Sequence, residues 1–355
     1  MKKYFIIAAC ALVASVACTK SEKADGPDVE VKFQIADYKA QTKAGPTSFL
    51  SEFADPADAH FSCKAFLHAE GVAETQDFFG ASGETITYNG SDAWEPSHPY
   101  YWPKSENSYI NFVSYYDTGV GPTTVTETSL EWAARTIGTG DNIMYADEAW
   151  RFHANKKPAA YGKDGVTEGV PTLFHHALGQ IQVKAYATKL EDANATWTIT
   201  LEDITIGAIY NKGTLTLTND DPSTDATPKA WTGSWVTDTS VDGSLTPANT
   251  PVTADAKASA VTVLANQSVL PQDVSAASIN FKVRIVTTYK TGGQTNTELI
   301  NKSVPFGTGG FETPNWAMNT KYSYYIKIDP ATNEVLFDPA VAEEWIVAAD
   351  AEYEY

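Results

Sequence analysis

The sequence predicts an all-β protein built as two tandem β-sandwiches. Short runs alternate apolar and polar residues with a period of two, the pattern of strands with one buried face. Turn-forming clusters such as Gly119-Val120-Gly121-Pro122, Asn219-Asp220-Asp221-Pro222 and Thr291-Gly292-Gly293 separate those runs. Helical spacing of apolar residues is almost absent, and the roughly 330 residues beyond the N-terminal region exceed one comfortable domain.

At the start of the chain, Lys2 and Lys3 precede an apolar run from Tyr4 to Ala14, and Ser15-Val16-Ala17 stands directly before Cys18. That order is the order of a secretory signal over residues 1–17. The apolar run is shorter than the ~20 residues a membrane-spanning helix needs. A cysteine placed after small residues resembles the bacterial lipobox. The resemblance implies an acylated Cys18 and an outer-membrane lipid partner, although Ser15 stands where the pattern prefers Leu or Val. The other reading is an ordinary cleaved signal in which Cys18 is incidental. Residues 18–27 are small, polar and charged, and read as a flexible tether.

Alternation begins with Val29, Val31, Phe33 and Ile35 on one side and Glu30, Lys32 and Gln34 on the other. A polar loop with Lys39, Lys43 and Gly45 follows. Further strands are expected at Cys63–His68, Thr85–Tyr88, Tyr109–Tyr116, Ile181–Tyr186, Thr196–Ile206 and Thr214–Thr218. The remaining ones fall at Ala260–Leu264, Ile279–Thr288, Tyr322–Ile328 and Val335–Phe337. Asn155-Lys156-Lys157-Pro158 and Gly162-Lys163-Asp164-Gly165 form a long polar stretch, so the two domains are expected at 28–165 and 166–355. The final residues alternate again, Val347, Ala349, Ala351, Tyr353 and Tyr355 against Ala348, Asp350, Glu352 and Glu354. This segment reads as a last strand of the chain's own sheet, a frayed tail, or a strand offered to a neighbour.

Formal charge is −19, and loss of Lys2 and Lys3 makes the mature chain two charges more negative. With 25 Lys and Arg and no basic cluster, nucleic-acid binding has no electrostatic footing. Three cysteines leave only Cys63 in the folded part, too few for an internal disulfide. The six histidines, among them His175 and His176, show no zinc spacing, and neither a nucleophile elbow nor a phosphate-binding loop is present. The acidic loop around Asp220 to Asp225 lacks a calcium-binding register and reads as a solvated turn. No catalytic residue, metal or cofactor is expected, so the chain reads as a non-enzyme. Nine tryptophans are core candidates, with Trp231 and Trp235 the best candidates for an exposed sugar-stacking platform.

Several phrases then combine. Pro99-Tyr100-Tyr101-Trp102-Pro103-Lys104 and Tyr109 to Tyr116, Asp141-Asn142-Ile143-Met144-Tyr145-Ala146, Val170 to Ile181, Leu270-Pro271-Gln272, Trp316 with Lys321 to Ile326, and Trp345 occur in this order. Together they resemble the fimbrillin family of type V pilus proteins, over about residues 30–345. The resemblance implies two transthyretin-like sandwiches, export as a lipoprotein and a place in a fimbrium at the outer membrane and cell surface. It also implies partners: other pilus subunits, and a host or bacterial surface ligand for adhesion. Proteolytic trimming removes the first strand in that family, and a terminal strand of another subunit fills the groove. The cut in the family follows an Arg; here no Arg precedes Arg135, and Lys43 occupies the expected loop. On this reading Val29, Val31, Phe33 and Ile35 form the displaced strand and Val347 to Tyr355 the donor. A surface glycan-binding lipoprotein is the alternative.

Overall fold

The computed structural model describes residues 30–36, 53, 58–90, 94–105, 107–152, 169–220 and 228–345. Along the chain, β1 is Phe33–Ala36, β2 His60–His68, β3 Gln76–Asp77, β4 Glu84–Tyr88, β5 Trp94–Pro96 and β6 Tyr109–Asp117. Next come β7 Thr124–Val125, β8 Ser129–Thr136, β9 Ile143–Ala146, β10 Glu148–Phe152, β11 Val170–His176 and β12 Gly179–Ala187. They are followed by β13 Ala195–Gly207, β14 Lys212–Thr218, β15 Pro228–Lys229, β16 Thr232–Thr237, β17 Thr250–Val252 and β18 Val261–Val269. The last six are β19 Gln272–Asp273, β20 Ser278–Tyr289, β21 Thr295–Pro305, β22 Asn315–Trp316, β23 Thr320–Asp329 and β24 Glu334–Glu344. The expected all-β class holds, and each of the ten later strands expected from the sequence lies on an observed one.

The largest sheet closes on itself. Its order runs β6-β9-β11-β1-β5-β4-β2, and β2 pairs back onto β6, so these seven strands form a ring. Inside it pack Val31, Phe33, Ile35, Phe61, Cys63, Ile86, Trp94, Ile110, Phe112 and Phe174. Strand β6 is buried on both faces. Ile110, Phe112 and Tyr116 face the ring interior, whereas Val113 belongs to a second core outside it. That outer core is roofed by the sheet β16-β14-β8-β7, which contributes Trp132, Leu215, Leu217 and Trp235.

The other sandwich packs β18-β12-β23-β24 against β17-β13-β20-β21 around one apolar cluster. Strand β13 shows how its pattern is kept. Ala195, Trp197, Ile199 and Leu201 point inward at odd positions; then the register shifts between Glu202 and Thr205, with Asp203 at φ 51°. The bulge inserts one residue, and Ile204 and Ile206 return to the core at even positions.

Sheet pairing does not divide between residues 165 and 166, where the sequence places the domain boundary. Strand β11 is a stave of the first ring, and β14 and β16 return to pair with and beside β8. The physical reason is the second apolar face of the ring: Val113, Ile143 and Tyr145 need a cover, and β14 and β16 supply it. Trp231 and Trp235 take part in that cover. They are 7% and 8% exposed, and their indole N–H groups donate to the Ala146 and Ala177 carbonyls at 2.9 and 2.7 Å. They are therefore core residues and not the exposed platform expected from the polar sequence around them.

One carboxylate is buried where the ring meets this cover. Glu148, on β10, is fully buried, and the Asn219 amide donates to its Oε2 at 2.6 Å. Burial drives its carboxyl up from 4.5 to about 8; Glu127 adds to the rise, while the Asn219 hydrogen bond and Lys229 oppose it. Because the folded value exceeds the unfolded one, this group's stabilising contribution is complete below about pH 4.5 and fades as pH climbs through 8. Glu148→Gln is expected to flatten the loss of thermal midpoint between pH 5 and 8.5, measured by circular dichroism at a series of pH values. An unchanged slope in the variant would contradict that assignment.

Candidate functional site: the seat of the first strand

Strand β1 is the candidate site because it completes the ring and its seam with β5 is the shortest in it. It runs parallel to β11, Phe33 opposite Val170 through Ala36 opposite Leu173. On its other side it meets β5 only at Phe33 opposite Trp94. The preceding residues extend the seat: the Val31 N–H donates to the Tyr100 carbonyl at 2.8 Å, and Glu30 bridges to Tyr101. Lys32 reaches Glu95 at 2.8 Å, but both side chains are more than a third exposed, so this pair adds little.

The apolar side of the strand is deeply placed. Val31, Phe33 and Ile35 are 1%, 2% and 1% exposed. The Phe33 ring meets Phe61 at 5.7 Å and Phe112 at 5.5 Å, both edge-to-face, the favoured aromatic geometry. Burying these three side chains contributes roughly 5–9 kcal/mol. Ordering the six backbone residues that carry them costs about 6–12 kcal/mol. The two nearly cancel, so β1 is held mainly because it is covalently tethered, whereas its vacated seat would be an apolar trench between two unpaired edges.

Gly169 shapes that trench. It has φ +84°, and a Cβ there would lie 2.7 Å from the Lys32 carbonyl oxygen. Its absence lets the Val170 N–H donate to the same carbonyl at 2.6 Å. Sequence reasoning did not single out Gly169, nor Trp94 and Tyr100 as walls of the seat. The only local signal was a glycine directly before the Val170 phrase.

Of the residues predicted from the sequence, Val31, Phe33 and Ile35 come together in this seat. Cys18, Val29, Lys43 and the tail Val347, Ala349, Ala351, Tyr353 and Tyr355 lie outside the described residues. Trp345, the last described residue, stacks on His176 with ring centroids 3.8 Å apart. His176 is fully buried and its Nδ1 lies 2.9 Å from the Asn142 Oδ1, while His175 contacts Asp147 at 3.0 Å. Among the described residues no three His, Cys, Asp or Glu side chains gather as a metal site.

Cys63 reports on the seat from inside. It is 1% exposed in the same core, and burial pushes its thiol up to about 12. A chain begun at Thr19 carries it as the sole thiol, and it should resist iodoacetamide while β1 is in place. A chain begun after Ala36, or a Gly169→Val variant, is expected to alkylate at least tenfold faster under native conditions, measured by intact mass. Equal rates would show that β1 does not seal this core.

A family-wide sequence model described as fimbrillin-like matches residues 63–345. No curated protein matches the chain. Among solved structures, a fimbrial protein from Bacteroides vulgatus is 16% identical, with a TM-score of 0.50, covering 89% of this chain and 99% of its own; this likeness is one of fold. The tip fimbrial protein Mfa3 from Porphyromonas gingivalis is 9% identical, with a TM-score of 0.33, covering 89% of this chain and all of its own. With the greater part of its length matched, the chain belongs to the fimbrillin-like family.

Proposed function

We propose that this protein is a structural subunit, stalk or tip, of a type V pilus, assembled by exchange of its first strand and supporting adhesion. The observation that carries the reading is the β1 seat, a ring of strands whose one marginally held stave lies at the N-terminal end of the fold. On this reading Cys18 is the acylated residue that holds the exported precursor at the outer membrane. Cleavage after Lys43, which lies between β1 and β2 in sequence, then separates β1 from the rest of the chain.

Loss of β1 opens the backbone edges of β5 and β11 together with the trench that Val31, Phe33 and Ile35 filled. A strand from another subunit restores both, main-chain bonds supplying affinity and alternating side chains supplying register. The alternating tail Val347, Ala349, Ala351, Tyr353 and Tyr355 suits that role. Its large side chains, Val347, Tyr353 and Tyr355, equal in number the Val31, Phe33 and Ile35 that they would replace, each contributing roughly 1.5–3 kcal/mol. The partners are other pilus subunits, the surface is the cell exterior, and the role is structural and not catalytic.

Deleting residues 346–355 is expected to abolish polymerisation of the trimmed protein while leaving the monomer's thermal midpoint within about 2 °C. Denaturant-resistant ladders on gels and negative-stain electron microscopy read the polymer. Fibres of undiminished length from the deleted chain would discard the tail as donor.

A further inference from the structure

A second surface is built by the hairpin of β20 and β21, outside the β1 seat. The two strands pair over eleven residues without a break, from Ser278 opposite Pro305 to Thr288 opposite Thr295. Strand β21 is the outer strand of its sheet, so its far side presents a regular row of N–H and C=O groups to solvent. The other outer strands among the described residues are guarded. Strand β18 shifts register twice against β12. Strand β24 breaks register opposite Ser323 and Tyr325, carries Pro339, and its Ala340 N–H donates to the Phe311 carbonyl at 3.2 Å. The remaining outer strands have six residues or fewer. Short, bulged or proline-bearing edges resist strand addition. Strand β21 has no such protection before Pro305 at its end.

The side chains of β21 are arranged symmetrically. Ile300 and Val304 pack against the core cluster, Lys302 shares their row, and Glu298 continues it by the period of two. On the other face Leu299 is 54% exposed. Ile300 is the midpoint of the strand, and Glu298 and Lys302 stand two residues to either side of it. Glu298 accepts a hydrogen bond from Asn296 on its own strand at 3.0 Å, and neither it nor Lys302 has an ion-pair partner among the described residues.

We propose that β21 is an interaction surface for a second copy of this chain, whose own β21 adds to it antiparallel. A twofold axis perpendicular to the sheet keeps both cores on one side, so residues of the same row must face each other. With the axis at Ile300 all eleven residues overlap. Glu298 then faces Lys302 of the second copy, Lys302 faces its Glu298, and the two Ile300 side chains meet at the centre. Moving the axis to Glu298 or Lys302 sets like charges opposite each other; moving it to Leu299 or Asn301 sets a charge against Ile300. The same two charges that discourage other registers therefore select this one. The inference does not depend on strand exchange, since none of these residues belongs to the β1 seat.

Sedimentation equilibrium on the chain begun at Thr19, with β1 in place and the loop after it uncut, tests the pairing apart from strand exchange. A pair of single strands lies at the small end of interfaces, below about 1,200 Å², so half of the chains are expected as dimer at roughly 100 µM. The net charge of −19 repels copies, and at about 0.15 M salt a screening length of about 8 Å weakens that repulsion more than contacts across the pair. Glu298→Lys and Lys302→Glu are each expected to weaken the dimer about tenfold with an unmoved thermal midpoint, and the double variant to restore it within about threefold. The single variants shift net charge in opposite directions, so repulsion alone would make Glu298→Lys the tighter dimer. Monomer throughout up to about 500 µM, an unchanged or tighter Glu298→Lys dimer, or a double variant that stays monomeric would overturn the proposal.

Discussion

The architecture depends on the closure of one ring of strands through a four-residue stave. Six of the seven strands are joined antiparallel in the order β6-β9-β11 and β5-β4-β2, and the gap between β11 and β5 is bridged only by β1. Everything inside the ring, from Trp94 to Phe112, stays dry because Phe33 and its neighbours occupy that gap. A stave that is short, parallel on one side and in single register contact on the other gives the ring its weakest seam. Burial and ordering nearly balance there, so small changes in tethering decide whether the strand stays.

The opposite face of the ring imposes a different constraint. Strand β6 carries apolar residues on both faces, so the ring cannot stand as an isolated unit. The chain meets this by sending β14 and β16 back from beyond β13 to pair with and beside β8, and by stacking Trp345 on His176. The end of the second sandwich therefore rests on the first. Arg135 locks this region further, reaching Asp117 at 2.9 Å and Asp141 at 3.2 Å while only 16% of its side chain is exposed. Removing this cation would leave two neighbouring carboxylates uncompensated, so the cluster is costly to break.

Local alternation made much of the fold legible. Strand β13 reads cleanly because Ala195, Trp197, Ile199 and Leu201 alternate with Thr and Glu, and the same holds for the Val31-Phe33-Ile35 face of the first strand. Strand β21 was not legible: from Thr295 to Ser303 the only apolar residues are the adjacent Leu299 and Ile300, and this exposed sheet edge carries no alternation there. Pairing partners were invisible too. Nothing in Val170–His176 says that it lies parallel to a strand some 140 residues earlier, so a polar stretch between them looked like a boundary. Trp231 and Trp235 were misread because Gly, Ser and Thr surround them, whereas their burial is set by the ring face they cover. Gly169 needed the approach of Lys32 to acquire meaning.

The most direct measurement is the structure of native fibres by cryo-electron microscopy, traced through the gap between Trp94 and Val170. Strand exchange predicts that the chain in this gap is continuous with a neighbouring subunit and places alternate apolar side chains where Val31, Phe33 and Ile35 sit. Density continuous with the same subunit's own Phe33–Ala36 in mature fibres would contradict the account.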